Sequence, residues 1–210
     1  MTLFLEKFVL GPIENNTYLV IDESTSLAAV IDPAAPSEAI RQKIWEKNAA
    51  LELILLTHAH FDHIGGVKSL TRDLSNGSRV ALHAADLDLW RSGGGSRDFG
   101  FEFEPGDEPD LILKDETPLF LGNIRVDVLH TPGHTHGHVT YYLPQHASAF
   151  CGDLIFYHGI GRTDLAVSDE PALFASIHEK ILTLPDDTIL YPGHGPATRV
   201  GEEKENNPFI

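Results

Sequence analysis

The chain has 210 residues, of which 42% are hydrophobic, and its formal net charge is −16. This length and composition predict one domain, residues 1–210, with a core of its own. Asp and Glu number 31 against 15 Lys and Arg. That balance argues against binding to nucleic acid or to a membrane surface, because both depend on clustered basic side chains. No apolar run in the sequence approaches the ~18–20 residues that a membrane span needs.

The N-terminal residues and the cysteine content indicate the cellular compartment. Residues 1–12 lack a basic stretch and a small-residue cleavage site, so no secretory signal is visible. Cys151 is the one cysteine, which excludes an internal disulfide. These features favour a reducing cytoplasm.

Short apolar segments broken by turn residues predict strands that alternate with helices. The predicted strands are residues 3–10, 17–21, 27–31, 51–56, 79–83, 118–121, 124–129, 139–143, 147–151 and 188–191. The predicted helices are residues 38–48, with Ser37 as the cap, 66–74, 84–90 and 169–182. Residues 92–109 are expected to form a surface loop or a lid. This order of elements is typical of a layered α/β protein.

Seven of the 12 histidines lie in three short segments, each directly after a predicted strand. The first segment, residues 58–63, has the pattern H-x-H-x-D-H. In an extended stretch His58 and His60 point the same way and can bind one ion. If a helix begins near Asp62, then Asp62 and His63 face a second position. Imidazole nitrogens and carboxylate oxygens both suit Zn²⁺, so the segment predicts two neighbouring ions that need further ligands.

Three later segments can complete these two ions. His134, His136 and His138 are all candidates, and their spacing does not choose among them. Asp153 and His194 follow two other predicted strands. Side chains from separate strand ends can meet at one edge of the sheets of an α/β fold.

Four ordered motifs resemble those of the metallo-β-lactamase fold superfamily. They are H-x-H-x-D-H at 58–63, P-G-H-T-x-G-H at 132–138, C-G-D at 151–153 and P-G-H-G at 192–195. Asp32 matches the aspartate that ends an early strand in that superfamily. The resemblance implies an α/β fold built as a four-layer αββα sandwich, in which two mixed β-sheets are flanked by helices. The stretches G-R-T-D at 161–164 and N-P-F at 207–209 are similar to a short bacterial branch of the glyoxalase II-like hydrolases, without their C-terminal helical domain.

The resemblance also implies a role for each site residue. The implied metal ligands are His58, His60 and His134 for one ion, Asp62, His63 and His194 for the other, and Asp153 between them. Asp32, Thr57 and His138 would support these ligands from behind. His136 occupies the variable position of its motif and is not assigned as a ligand.

The implied activity is metal-dependent hydrolysis with two divalent ions, zinc being expected and iron or manganese being the alternatives. A metal-bound hydroxide would attack the carbonyl carbon of a thioester such as hydroxyacylglutathione, and Asp62 would orient the hydroxide or carry its proton. Two ions with two aspartates and a hydroxide leave a local charge of about +1, which favours a small anionic substrate. No serine or cysteine nucleophile is required.

Two other activities share this fold and its motifs. One is a persulfide dioxygenase, in which a single iron is bound by two His and one Asp. The other is a lactonase or a related small-ester hydrolase. A non-catalytic protein would have lost ligands, whereas all seven are present in this sequence.

Residues near Asp153 are candidates for contact with the substrate. Tyr157 and Arg162 follow Asp153 closely, although Arg162 could instead form an ion pair with Asp164. Cys151, at the end of an apolar strand, is expected to be a buried structural thiol. The sequence does not predict an oligomeric state.

Overall fold

Two six-stranded sheets form the centre of the molecule in the computed structural model, which describes residues 2–73, 77–100, 102–114 and 117–210. The first sheet has its strands in chain order: β1 (Leu3–Leu10), β2 (Asn15–Asp22), β3 (Leu27–Ile31), β4 (Ala50–Leu55), β5 (Arg79–His83) and β6 (Leu111–Leu113). Strands β1 to β3 are antiparallel, and β3 to β6 are parallel.

The second sheet contains β7 (Leu119–Leu121), β8 (Ile124–His130), β9 (Val139–Leu143), β10 (Ser148–Gly152), β13 (Ile189–Pro192) and β14 (Thr198–Arg199). Its spatial order is β14-β13-β10-β9-β8-β7, with β10 and β13 parallel and the other pairs antiparallel. A separate hairpin consists of β11 (Ile155–Phe156) and β12 (Gly159–Ile160).

Short helices connect the strands: α1 (Glu38–Glu46), α2 (Phe61–Ile64), α3 (Val67–Asp73), α4 (Leu87–Arg91), α5 (Glu170–Ser176) and α6 (Val200–Asn206). The Ser37 hydroxyl caps α1 by accepting a hydrogen bond from the Ile40 backbone N–H. Asp169 caps α5 in the same way through Ala172. In the described part of the chain, no helix is long and apolar enough to cross a membrane.

Three apolar clusters define the layers. The central cluster joins side chains of both sheets, including Val20 and Leu53 from the first and Val128 and Phe150 from the second. A second cluster lies between the outer face of the first sheet and helices α1 to α4, and a third packs α5 and α6 on the second sheet. The architecture is the predicted αββα sandwich of two mixed sheets.

The predicted strands 3–10, 27–31, 79–83 and 139–143 match the structure residue for residue. The predicted helix 84–90 is a 3₁₀ turn, Ala84–Asp86, followed by α4, and the predicted helix 169–182 is α5 followed by a π turn at Ile177–Ile181. The last residue of the predicted helix 66–74 lies outside the described residues. Strands β6, β11, β12 and β14 were not predicted; the last three have two residues each, too few to show an alternating pattern.

Two buried tyrosines connect the sheets by hydrogen bonds. Tyr141 on β9 donates its hydroxyl at 2.8 Å to the carbonyl of Leu56, two residues before the H-x-H-x-D-H segment. Tyr18 on β2 donates its hydroxyl to the carbonyl of Pro192, the first residue of the P-G-H-G segment, at 2.7 Å. Each bond therefore fixes a strand end that leads into one of the histidine motifs.

We expect Tyr141→Phe to lower the free energy of unfolding by about 1–2 kcal/mol, because the buried Leu56 carbonyl loses its side-chain donor. Urea denaturation would measure the change. Tyr157→Phe is the matched control, since the Tyr157 side chain is 50% exposed. Equal stability of the two variants would contradict a role of this bond in holding the sheets together.

Asp22 at the end of β2 forms a second connection between the sheets. Its carboxylate accepts hydrogen bonds from the backbone N–H of Ser24 at 2.9 Å and of Asn123, in the β7–β8 turn, at 2.8 Å. Burial opposes ionisation, but hydrogen bonds from Ser24, Asn123 and Thr25 lower the pKa of Asp22 to about 2.

A carboxyl whose pKa falls on folding stabilises the protein above its unfolded pKa of 3.8 and loses that contribution as the pH falls towards about 2. The stability difference between the wild type and Asp22→Asn should therefore shrink on acidification from pH ~5 to pH ~2. Denaturant titrations of both proteins across this range would measure it. A constant difference would show that the charge of Asp22 contributes nothing.

Candidate metal centre

All seven predicted ligand side chains lie together where strands of both sheets end. The segment after β4 carries His58 and His60 in extended backbone, and α2 then turns the chain so that Asp62 and His63 follow on its first turn. His134 lies in the β8–β9 loop, Asp153 directly follows β10, and His194 follows β13.

Three overlapping groups of these side chains could hold metal ions. Within each group the candidate ligand atoms lie within 4.8 Å of one another: His58, His60 and His134; Asp62, His63 and His194; and His58, His63 and Asp153. Asp153 lies between the groups, with carboxylate oxygens 3.4 Å from His63 Nε2, 3.6 Å from His134 Nε2 and 3.7 Å from His194 Nε2.

The spacing of these atoms fits ligands that share a metal. The distances from His63 Nε2 to Asp62 Oδ2, 3.4 Å, and from His194 Nε2 to Asp62 Oδ2, 3.3 Å, exceed those of strong charged hydrogen bonds. Two ligand atoms at about 2.0–2.1 Å from one tetrahedral ion lie about 3.3 Å apart. Among the described residues, His58 Nε2, His63 Nε2 and Asp153 Oδ1 are buried without a hydrogen-bond partner. Unpaired buried polar atoms are costly, and bound metal ions would give all three a partner.

The protonation states also suit metal binding. Burial, followed by the neighbouring His63 and His60, holds the pKa of His58 well below its usual value. Burial and His134 lower the pKa of His60 to about 3. Both rings are therefore neutral at pH 7, which is the form that binds a metal.

The carboxylates around His63 favour positive charge at the buried centre of the site. Burial alone would lower the pKa of His63, but Asp62, Asp153 and Asp32 raise it well above its usual value. Burial opposes ionisation of Asp153, yet His63 and His134 hold its pKa below the usual range. Metal cations can supply here the positive charge that a proton on His63 would otherwise provide.

The three predicted supporting residues lie directly behind the histidines. Asp32 accepts hydrogen bonds from the backbone N–H of Thr57 at 2.7 Å and from its hydroxyl at 2.6 Å, and it lies 2.9 Å from His63 Nδ1. Thr57 Oγ1 is 3.1 Å from His58 Nδ1. His138 is fully buried, with Nδ1 3.0 Å from Thr131 Oγ1. His136, in contrast, is exposed.

Asp86 also lies behind the candidate ligands, although the sequence analysis did not name it. Its buried carboxylate accepts hydrogen bonds from Ala59 N at 3.0 Å, Thr135 Oγ1 at 2.7 Å and Gly137 N at 2.7 Å. It thus joins the loop between His58 and His60 to the loop that carries His134. The position of Asp86 in the sequence could have indicated this placement, because Asp86 closely follows β5, just as Asp32 follows β3 and Asp153 follows β10.

Two glycines allow the backbone to approach the site closely. A Cβ at Gly193 would lie 2.3 Å from Asp153 Oδ1 and 2.7 Å from His63 Cε1. A Cβ at Gly94 would lie 2.5 Å from Phe61 N, and the carbonyl of Gly94 accepts a hydrogen bond from that N–H at 3.0 Å. The expected loop 92–109 is therefore attached to the first histidine segment at Gly94.

The site opens into a cavity of about 440 Å³, which is lined by five of the seven candidate ligands, His60, Asp62, His134, Asp153 and His194. Arg162 also lines this cavity, and its carbonyl lies 2.9 Å from His134 Nδ1. The structure does not bring Tyr157 there. Tyr157 lies in the β11–β12 turn, stacks on His158 and lines a different depression beside Arg199. Cys151 is fully buried, as expected.

Curated relatives match nearly the whole chain. The probable metallo-hydrolase YqgX of Bacillus subtilis is 38% identical over 206 residues, covering 95% of this chain and 94% of that protein. The hydroxyacylglutathione hydrolase GloC of Haemophilus influenzae is 34% identical over 210 residues, covering 94% and 93%.

Solved structures show the same fold. The crystal structure of BLEG-1 B3 metallo-β-lactamase has a TM-score of 0.91 at 39% identity and covers 98% of this chain and 99% of that one. The structure of TTHA1623 in a di-iron-bound form has a TM-score of 0.87 at 38% identity and covers 98% and 100%. The family model of the metallo-β-lactamase superfamily matches residues 10–194. The chain belongs to the metallo-β-lactamase superfamily.

Proposed function

We propose that this protein is a hydrolase that uses two divalent metal ions to cleave thioesters. The observation that carries the proposal is the pair of neighbouring ligand groups, with Asp153 within 3.7 Å of histidines from both, at the end of an open cavity. A metal-dependent hydrolase agrees with the family and with the curated relatives.

In this proposal each group of side chains holds one ion. His58, His60 and His134 hold the first, and Asp62, His63 and His194 hold the second, with Asp153 as a ligand of both. When bound, the ions supply a Lewis acid and lower the pKa of an attacking water towards neutrality. We expect zinc, and the di-iron form of TTHA1623 supports iron as the alternative.

The protein's own side chains position the water and the ligands. Asp62 lines the cavity and is held by an amide hydrogen bond from Asn15 at 3.5 Å, so it can orient the attacking water and accept its proton. Asp32 fixes the ring of His63, and the Arg162 carbonyl fixes the ring of His134. The thiolate of a thioester leaves readily, so no further acid is required.

The ligand arrangement favours a two-metal hydrolase over the single-iron dioxygenase. One iron on two histidines and one aspartate would use three of the seven candidate side chains, and the groups His58, His60, His134 and Asp62, His63, His194 could then not both hold an ion. The thioester substrate rests on the hydroxyacylglutathione hydrolase from H. influenzae. Ester, lactone and β-lactam substrates are the competing carbonyl compounds, the last because of BLEG-1.

The proposal is tested by metal content and turnover of one preparation, expressed without added metal. We expect about two metal ions per chain and hydrolysis of S-lactoylglutathione. One iron per chain, no thioester hydrolysis and oxygen uptake with glutathione persulfide would assign the protein to the dioxygenases instead. Nitrocefin and a simple lactone, assayed in parallel, would reveal a preference for other carbonyl substrates.

We expect Asp62→Ala to reduce kcat/KM for the thioester at least ~100-fold, because the variant loses both a metal ligand and the proton acceptor. Metal analysis should show that the second ion is lost while the first is retained. Asp88→Ala is the matched control, since the Asp88 side chain is 95% exposed. Wild-type turnover in metal-loaded Asp62→Ala would refute the two-metal mechanism.

We expect Asp86→Ala to weaken binding of the first metal ion about 10–100-fold, because the loops carrying His58, His60 and His134 lose their common acceptor. Competition with a chelator would measure the affinity. Asp86→Asn, which keeps an acceptor oxygen, should restore part of it. If the alanine variant is destabilised but its metal affinity is unchanged, Asp86 supports only the fold.

A further inference from the structure

We infer that the substrate carries an apolar acyl chain and no charged group near the reacting carbonyl. This inference rests on the proposed function, and it narrows the thioester class that the site would accept. It differs from the anionic substrate that the sequence analysis favoured. Three features of the cavity beside the candidate ligands support this inference. They are its apolar walls, the ion pair that Arg162 already forms with Asp164, and the negative charge of Asp98.

The walls of the cavity are mainly apolar. Phe61, Leu89 and Phe99 come from the segments after β4 and β5, and Phe156, Leu165 and Val167 come from the segment after Asp153. The rings of Phe61 and Phe99 are in contact, with centroids 5.0 Å apart. Cavities of this size, about 440 Å³, are typical of sites for small molecules. An acyl chain of several carbons would cover the walls and gain the free energy of apolar burial.

The cavity offers little to a charged substrate. Among the described residues that line it, Arg162 is the one Lys or Arg side chain. Its guanidinium already binds the Asp164 carboxylate through Nε at 2.6 Å and Nη2 at 2.8 Å. Asp98 adds a negative charge to the lining. A glutathione thioester brings two carboxylates, and placing them against apolar walls without cationic partners is costly.

Phe99 provides the sharpest test of the apolar walls. It lies in the 3₁₀ turn Ser96–Phe99, away from the candidate ligands in sequence, and its side chain is 56% exposed. Phe120 on β7 is exposed to the same fraction, 56%, and does not line the cavity. Phe99→Glu and Phe120→Glu therefore make the same chemical change at equal exposure.

The activity experiment uses the metal-loaded protein and uncharged N-acetylcysteamine thioesters with acetyl, butanoyl, hexanoyl and octanoyl groups. We expect kcat/KM to rise about threefold for each added methylene up to the hexanoyl thioester. The value for the hexanoyl thioester should exceed the value for S-lactoylglutathione at least ~10-fold. Phe99→Glu should lower the hexanoyl value about tenfold, through KM, and change the acetyl value less than about twofold. Phe120→Glu should match the wild type.

A binding experiment separates this inference from the proposed function. Isothermal titration calorimetry would compare two non-hydrolysable thioethers that share a hexyl chain, S-hexyl-N-acetylcysteamine and S-hexylglutathione. We expect the uncharged thioether to bind more tightly, and Phe99→Glu to weaken its binding. If these results hold but no thioester is hydrolysed, the inference stands and the proposed function fails.

Three outcomes would overturn the inference while leaving thioester hydrolysis intact. The first is a kcat/KM that does not depend on acyl length. The second is a kcat/KM for S-lactoylglutathione that equals or exceeds the value for the hexanoyl thioester. The third is binding of S-hexylglutathione that is as tight as, or tighter than, binding of S-hexyl-N-acetylcysteamine. An equal loss in Phe99→Glu and Phe120→Glu would also overturn it, since the effect would then not come from the cavity.

Discussion

The fold is organised around one electrostatic constraint, the burial of Asp153 among histidines from three separate segments. Its oxygens lie 3.4–3.7 Å from His63, His134 and His194, and one of them has no hydrogen-bond partner among the described residues. A buried carboxylate and crowded imidazoles are stable together only if positive charge compensates them. The demand for cations therefore follows from the packing of the strand ends, and catalysis can use the ions that satisfy it.

Two further carboxylates, those of Asp32 and Asp86, hold together the segments that carry the candidate ligands. Asp32 and Asp86 accept backbone N–H hydrogen bonds from the two residues that flank His58, Thr57 and Ala59 respectively. Asp32 also lies 2.9 Å from His63 Nδ1 on α2, and Asp86 also accepts hydrogen bonds from Thr135 and Gly137 in the loop that carries His134. Because the donors come from backbone groups as well as side chains, these aspartates fix the course of the chain before any metal is bound.

The sequence could place the seven candidate ligands near one another because strand ends in an α/β fold converge, whereas the choice of His134 over His136 and His138 depended on the family resemblance. The same reasoning failed for Tyr157, since closeness to Asp153 in sequence does not specify direction. The β11–β12 turn, with His158 at φ 55°, carries Tyr157 away from the cavity. Asp86 and Asn15 were missed because their partners lie at least 27 residues away in the chain.

The net charge of the protein and the apolar walls of the cavity limit which substrates can reach the candidate metal ligands. The protein carries a net charge of −16, and a summed charge of this size repels anions over distances comparable to the Debye length. The substrate proposed above, an uncharged thioester, would avoid this repulsion, and its acyl chain would contact the apolar walls of the cavity. Hydrolysis of that substrate would yield an anionic carboxylate, which the same field would repel, so the net charge of the protein would favour release of the product.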